Sequence, residues 1–332
     1  MCYINIKMKI LLLLMLLFQP FICSSFNVVG WWVGNPNNGF SMKNLNWKTY
    51  THIRFGNPLV YPNGTAFCNK TDYQFQNVLD LAHRHNVKVQ WGPNVNVGDI
   101  LWNSSMKYKR ENYMNSIGTA VHECGVDGIE VDYEFQNGKY WKLGIISPKR
   151  ATHYSHFLAD IKKSIGPNKL VSADVSIWGF APGNYFLGFL PWINATMLNR
   201  GDFDFINTMS YHWNKDGNLW SWKKDGWFID KWGIDRKRVN IGIPYFSENR
   251  TKDLKIYNEP TWGGLSPSCP NINPYENVCK DIIFVGKKMN YELGKWIKKE
   301  GFRGVFPWAA NYDSNAYNNS LIDWLHRGIR EK

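Results

Sequence analysis

Asp127-Gly128-Ile129-Glu130-Val131-Asp132-Tyr133-Glu134 alternates acid with apolar side chain through its last six residues. Successive side chains of a strand point to opposite faces. Glu130, Asp132 and Glu134 therefore line one face, and Ile129, Val131 and Tyr133 the other. Strict period-2 alternation with β-branched and aromatic residues is a strand signal. A surface strand shows the same pattern, so what matters is which face is buried.

The flanking sequence answers that. Strand-like stretches at 27–33, 50–55, 87–91, 126–134, 170–178, 203–211, 238–246 and 301–308 alternate with helical spacing at 72–85, 108–124, 149–165, 223–232, 282–299 and 316–330. Residues 185–200 are aromatic and weakly helical, and 247–281 read as a long Pro-, Asn- and Gly-rich loop. Strand-then-helix alternation predicts parallel βα units. Eight such units fit an α/β fold of the (β/α)8 barrel type, for which about 250 residues are typical. An open doubly wound sheet is the competing architecture. No G-x-G-x-x-G follows the first strand, so its dinucleotide-binding version has no support. The seventh βα loop is too short for a full α+β insertion domain.

Residues 1–25 read as a secretory leader. Lys7 and Lys9 precede an apolar run from Ile10 to Phe18, and Cys23-Ser24-Ser25 supplies small residues for cleavage. The run is too short to span a bilayer, and no later segment is long and apolar enough. Residues 26–332 are then one catalytic-size domain without a membrane anchor, expected as a secreted or lysosomal monomer. The formal charge is +12. The basic residues are scattered rather than clustered, which argues for a solvated face and against nucleic-acid binding. Seventeen tryptophans exceed ordinary core needs and suit a surface that stacks sugar rings. Six Asn-x-Ser/Thr sequons, at Asn63, Asn69, Asn103, Asn194, Asn249 and Asn318, agree with passage through the secretory path. Cys269 and Cys279 close a short loop and are the expected bridge. Cys68 and Cys124, one before a helix and one after a helix, are expected at opposite ends of the barrel and unpaired. The cysteines and histidines show no zinc-type spacing.

A barrel turns the acidic face of the fourth strand inward. Carboxyls about 7 Å apart along one face of a strand are costly inside a barrel, because burial and mutual repulsion both raise carboxyl pKa values. A purely structural strand would carry Val, Ile or Leu there. The acids make sense if Glu134 reaches the open mouth, where barrel enzymes keep their chemistry, with Asp132 one layer below to tune it.

Asp127-Gly-Ile-Glu-Val-Asp-Tyr-Glu134 resembles the D-G-x-D-x-D-x-E signature of glycoside hydrolase family 18, the chitinase-like barrels. Val28-Val29-Gly30-Trp31-Trp32 resembles that family's first strand, with an aromatic at the mouth, and Thr51-His52-Ile53 the start of its second. Asn207-Thr208-Met209-Ser210-Tyr211 resembles its sixth-strand M-x-Y-D, Ile241-Gly242-Ile243-Pro244 its seventh, and Gly304-Val305-Phe306-Pro307-Trp308 its eighth. The resemblance implies retaining, substrate-assisted hydrolysis of β-1,4-linked N-acetylglucosamine without a metal or organic cofactor. Glu134 would be the acid, Asp132 would hold the acetamido N–H, and Tyr211 would bond its carbonyl. Trp308 would floor the sugar, with Glu130, Met209, Trp32, Asn207 and His212 lining the site. The spacing agrees. A two-sided carboxylate pair flanks the sugar, and two acids adjacent on one strand face cannot.

Four positions depart from the family pattern. Glu130 replaces its middle Asp, His212 its sixth-strand Asp, Val89-Gln-Trp-Gly-Pro93 its S-x-G-G, and Asn57 a second-strand aromatic. Two readings compete with a chitinase or di-N-acetylchitobiase-like enzyme. One is a non-catalytic chitin-binding lectin; the other is an endo-N-acetylglucosaminidase on N-glycans. Asp174, with Ser172 and Ser176 on its parity, either lines the lower site or bonds within a polar core.

Overall fold

The computed structural model describes residues 26–33, 42–56, 59–92, 107–133, 148–177, 192–212, 215–249, 261–269, 271–314 and 320–331. Eight parallel strands close a barrel: β1 (Asn27–Trp32), β2 (His52–Phe55), β3 (Lys88–Trp91), β4 (Gly128–Asp132), β5 (Leu170–Val175), β6 (Phe205–Thr208), β7 (Val239–Pro244) and β8 (Gly304–Trp308). Each strand pairs with its neighbours in sequence, and β8 returns to β1 with Asn27 opposite Gly304. Around it, among the described residues, stand α1 (Tyr73–Arg84), α2 (Lys107–Cys124), α3 (Pro148–Ile165), α4 (Ala195–Arg200), α5 (Trp220–Lys231), α6 (Trp262–Ser268), α7 (Lys287–Lys299) and α8 (Leu321–Arg330). The expected (β/α)8 architecture is the one observed.

Local chemistry sets the helix ends. Asp72 caps α1 by accepting the Phe75 N–H at 3.1 Å, and Phe75, Val78, Leu79 and Ala82 form its buried stripe. Asp313 accepts the Leu321 and Ile322 N–H groups, one on each carboxylate oxygen, and so satisfies two orphan donors of α8.

The strand period splits the core in two. The larger cluster lies between strands and helices and takes Ile129, Val131 and Tyr133 of the fourth-strand stretch, with Tyr154 and Phe157 of α3 above them. The Tyr154 hydroxyl donates to the Val131 carbonyl at 3.0 Å. The smaller cluster is inside the barrel and contains Val29, Trp31, Phe205, Phe306 and Ala309.

Three expectations need correcting. Cys68 and Cys124 do pair, with Cα atoms 5.5 Å apart. The chain leaving β2 does not stay at the mouth. It folds into a two-stranded hairpin (Leu59–Val60 against Ala66–Phe67) laid along α2. The Ala66 N–H donates to Ser116 Oγ and Asn112 Nδ2 donates to the Asn63 carbonyl, which carries Cys68 along to the end of that helix. The segment 247–281 is not a bare loop. It holds α6 and a small antiparallel sheet of Glu248–Asn249, Val278–Cys279 and Ile282–Ile283, stapled by the expected Cys269–Cys279 bridge. Because Ile282 and Ile283 are spent in that sheet, α7 starts at Lys287 rather than at 282.

Candidate active site

Register places the interior side chains in layers. Trp31 lies opposite Arg54, Arg54 opposite Gln90, Glu130 opposite Ser172, Asp132 opposite Asp174, Asp174 opposite Asn207, and Asn207 opposite Asn240. The lowest layer is a plug. His52 meets Phe205 edge-on at 5.8 Å beside Val29 and Phe306, and burial drives its pKa down to about 3, so the ring is neutral.

The middle layer is polar and fully buried. Asn207 Nδ2 donates to Glu130 Oε2 at 2.8 Å and to Asp174 Oδ1 at 2.9 Å, while its own carbonyl accepts Asn240 Nδ2 at 2.8 Å. Ser172 Oγ donates to Glu130 Oε2 at 3.3 Å and accepts Gln90 Nε2 at 2.9 Å. This settles Asp174: it belongs to the carboxylate cluster. The extra methylene of Glu130 is absorbed by reach. One oxygen spans to Ser172 and Asn207, and the other faces Arg54 Nε at 3.6 Å.

The upper layer opens to the mouth. Asp132 is half-buried, and its Oδ1 has no hydrogen-bond partner among the described residues. Trp31 and Trp308 pack with ring centroids 4.2 Å apart, and Tyr211 sits 6.4 Å from Trp308 and 5.7 Å from Phe246. Asp132 thus ends the acid face of β4 with a buried oxygen that no described residue satisfies.

Charge is strongly perturbed here. Burial raises Glu130 to about 7, against the pull of Arg54 and with the push of Asp132. Burial also raises Asp132, and raises Asp174 well above the usual carboxylate range, with the Glu130 and Asp132 charges adding to the latter. Carboxyls raised in this way by burial and by one another are what acid–base chemistry draws on.

The structure brings Asp132, Glu130, Asn207, Tyr211 and Trp308 together, with Met209 half-buried on the same parity. Two residues go elsewhere. Trp32 points outward into the cluster under the helices, and Trp31 is the first-strand aromatic that faces the interior. His212 turns to α5, where its Nε2 bonds buried Asp225 at 2.7 Å and its ring meets Trp222 edge-on. The acid expected at 212 is thus replaced by a histidine paired with an acid from the next helix. Glu134 lies outside the described residues, as do Asn57, Trp178 and Trp213.

Sequence reasoning missed Arg54. Its guanidinium carbon lies 3.0 Å from the centroid of the Trp31 ring, and it is the described cation that lowers Glu130, Asp132 and Asp174 alike. The signal was available: His52 and Arg54 share one parity in β2, opposite apolar Ile53 and Phe55.

A closed parallel barrel that holds a buried Asp, Glu and Asn network in its interior, with aromatic residues at its strand ends, fits one class: a barrel glycosidase. The profile of Glycosyl hydrolases family 18 matches residues 27–313, and the chain belongs to that family. Solved structures agree in fold. A chitinase from Bacteroides thetaiotaomicron is 19% identical, with TM-score 0.72 over 92% of this chain and 97% of that one. A family 18 chitinase of the chitin utilization locus of Flavobacterium johnsoniae is 18% identical, with TM-score 0.68 over 91% and 93%. A plant class V chitinase mutant from Cycas revoluta in complex with (GlcNAc)3 is 13% identical, with TM-score 0.69 over 91% and 99%. No curated protein sequence matches the chain.

Proposed function

We propose that the chain is a secreted or lysosomal glycosidase that cleaves β-1,4-linked N-acetylglucosamine, in chitin oligosaccharides or glycan stubs, with retention and with help from the substrate. The observation that carries this reading is Asp132, which ends a one-sided acid set on β4 and whose Oδ1 has no hydrogen-bond partner among the described residues.

With no carboxyl in this set facing it from across the sugar, the substrate's 2-acetamido oxygen serves as nucleophile. Its attack on the anomeric carbon breaks the glycosidic bond, and Glu134 delivers its proton to the departing oxygen. Asp132 accepts the acetamido N–H and offsets the positive charge of the oxazolinium ring. Tyr211 donates to the acetamido oxygen until it attacks, and Trp308 stacks under the sugar. Water activated by the Glu134 carboxylate then opens the ring and restores the acid. No step calls on a metal or an organic cofactor. The leader at 1–25 sends a monomeric domain of 26–332 into the secretory path, where both disulfides persist.

Purified protein is assayed on fluorogenic N-acetylglucosamine dimers and trimers and on a high-mannose glycoprotein, beside Glu134→Gln. Turnover of the short oligomers is expected, with a loss of at least about a hundredfold in the variant. Binding without turnover on every substrate would leave a lectin. Turnover that survives Glu134→Gln would remove Glu134 from the role of acid.

A further inference from the structure

Arg54 is an unusual tenant of a barrel interior. It is nine-tenths buried, sits over the Trp31 ring and faces Glu130 Oε1. Space for it is made by Gly92, just past β3: a Cβ there would run into Arg54 Nη2, Cζ and Nε. Three features thus fit one another around the guanidinium. The longer acid at 130 reaches the arginine, Gly92 leaves room for the guanidinium, and Trp31 supplies the face on which it lies.

We propose that Arg54 is a positioning residue: through Glu130 it orders the carboxyl cluster beneath Asp132 and favours the charged forms of its carboxyls. The groups facing its guanidinium are Glu130 and Asp132 on β4, Asp174 on β5, and Tyr211 beyond β6. Glu130 is in ion-pair contact with it, and a nearby arginine favours the charged forms of the three carboxyls. Arg54 itself stays charged despite burial, because a guanidinium does not give up its proton in the working range. Glu130 is the lever: it takes the arginine's charge at one oxygen and passes order to Asn207 and Ser172 through the other. Arg54 works from beneath the site and does not itself touch substrate. The role rests on the proposed function of Asp132, and the test separates the two.

The experiment compares wild type with Arg54→Met, Arg54→Lys and Gly92→Ala. The pH dependence of kcat/KM is measured on a fluorogenic N-acetylglucosamine dimer, and the pH dependence of the melting temperature is measured without substrate. Loss of the cation raises the carboxyl pKa values. The acidic limb in Arg54→Met is therefore expected to move up by about one pH unit or more. Gly92→Ala, which keeps the arginine but displaces it, is expected to move the limb in the same direction. Arg54→Lys returns it most of the way. Without substrate, Arg54→Met takes up more proton on folding, so its melting temperature falls more steeply from pH 5 to 8. If Arg54→Met does not fold, Gly92→Ala and Arg54→Lys carry the same comparison. Activity that drops with both profiles unmoved would overturn the proposal. Wild type without turnover would sink the glycosidase reading, and the melting profile would still decide the role of Arg54.

Discussion

Glu130 is fully buried, and its carboxyl titrates at about 7 rather than at the 4.5 of a free glutamate. An acid whose folded pKa is raised binds its proton more tightly when folded. Its contribution favours folding below the unfolded value and is lost as pH rises through the folded one. Titrating alone, a shift of this size costs on the order of 3 kcal/mol at pH 8 relative to pH 4. The protein is therefore expected to melt several degrees lower at pH 8 than at pH 5. Glu130→Gln should flatten that slope in a calorimetric series, because it keeps an acceptor for Asn207 and removes the proton. A slope unchanged in the variant would assign the effect to Asp174 or Asp132. Glu130 also marks what a sequence conveys at this scale. Period-2 parity is enough to turn it inward, because side-chain direction is a local property of a strand. Its partner Arg54 lies 76 positions earlier and meets it across β3, so the pairing exists only once the barrel has closed.

Among the elements, the hairpin after β2 departs furthest from expectation. Cys68 precedes a helix and Cys124 follows one, which reads as opposite ends of the barrel, and nothing local says that the stretch between β2 and α1 lies along α2. Its contacts are tertiary: Ala66 on Ser116, Asn63 on Asn112, and the Cys68–Cys124 bond, which closes 56 residues. The chain-entropy treatment gives about 4 kcal/mol for a loop of that length and about 3 kcal/mol for the ten-residue Cys269–Cys279 span. Cys68→Ser with Cys124→Ser should thus lower the melting temperature more than Cys269→Ser with Cys279→Ser, measured under oxidising conditions. The reverse order would mean that the small sheet around Cys279, rather than the hairpin, is the weaker part. The barrel strands and the helices other than α4 and α6 were legible to within a few residues, because each carries its own hydrophobic period. The small sheet of 248–283 was not, since two-residue strands have no period to read.

The whole molecule decides which sequons are usable. Asn63 stands exposed at the hairpin tip on the flank of the barrel. Asn194 is committed to the fold: its Oδ1 caps α4 at the Met197 N–H, and its Nδ2 donates to Thr152 Oγ1 at 3.2 Å. Protein secreted from a glycosylating host should carry sugar at Asn63 and none at Asn194, by glycopeptide mass spectrometry. Glycan found at Asn194 would mean that the sugar is added before α4 forms.

The seam between β1 and β8 joins the two strands farthest apart in the chain. Synthesis delivers them in that order, so a nascent chain that has not yet released Gly304–Trp308 presents two raw sheet edges, at β1 and β7. Its acid-lined furrow is still flooded at that stage, and the cost of drying it falls on the arrival of the final strand. This protein is thus most open to chaperone capture, and to mistaken pairing with other chains, in the interval before that strand docks.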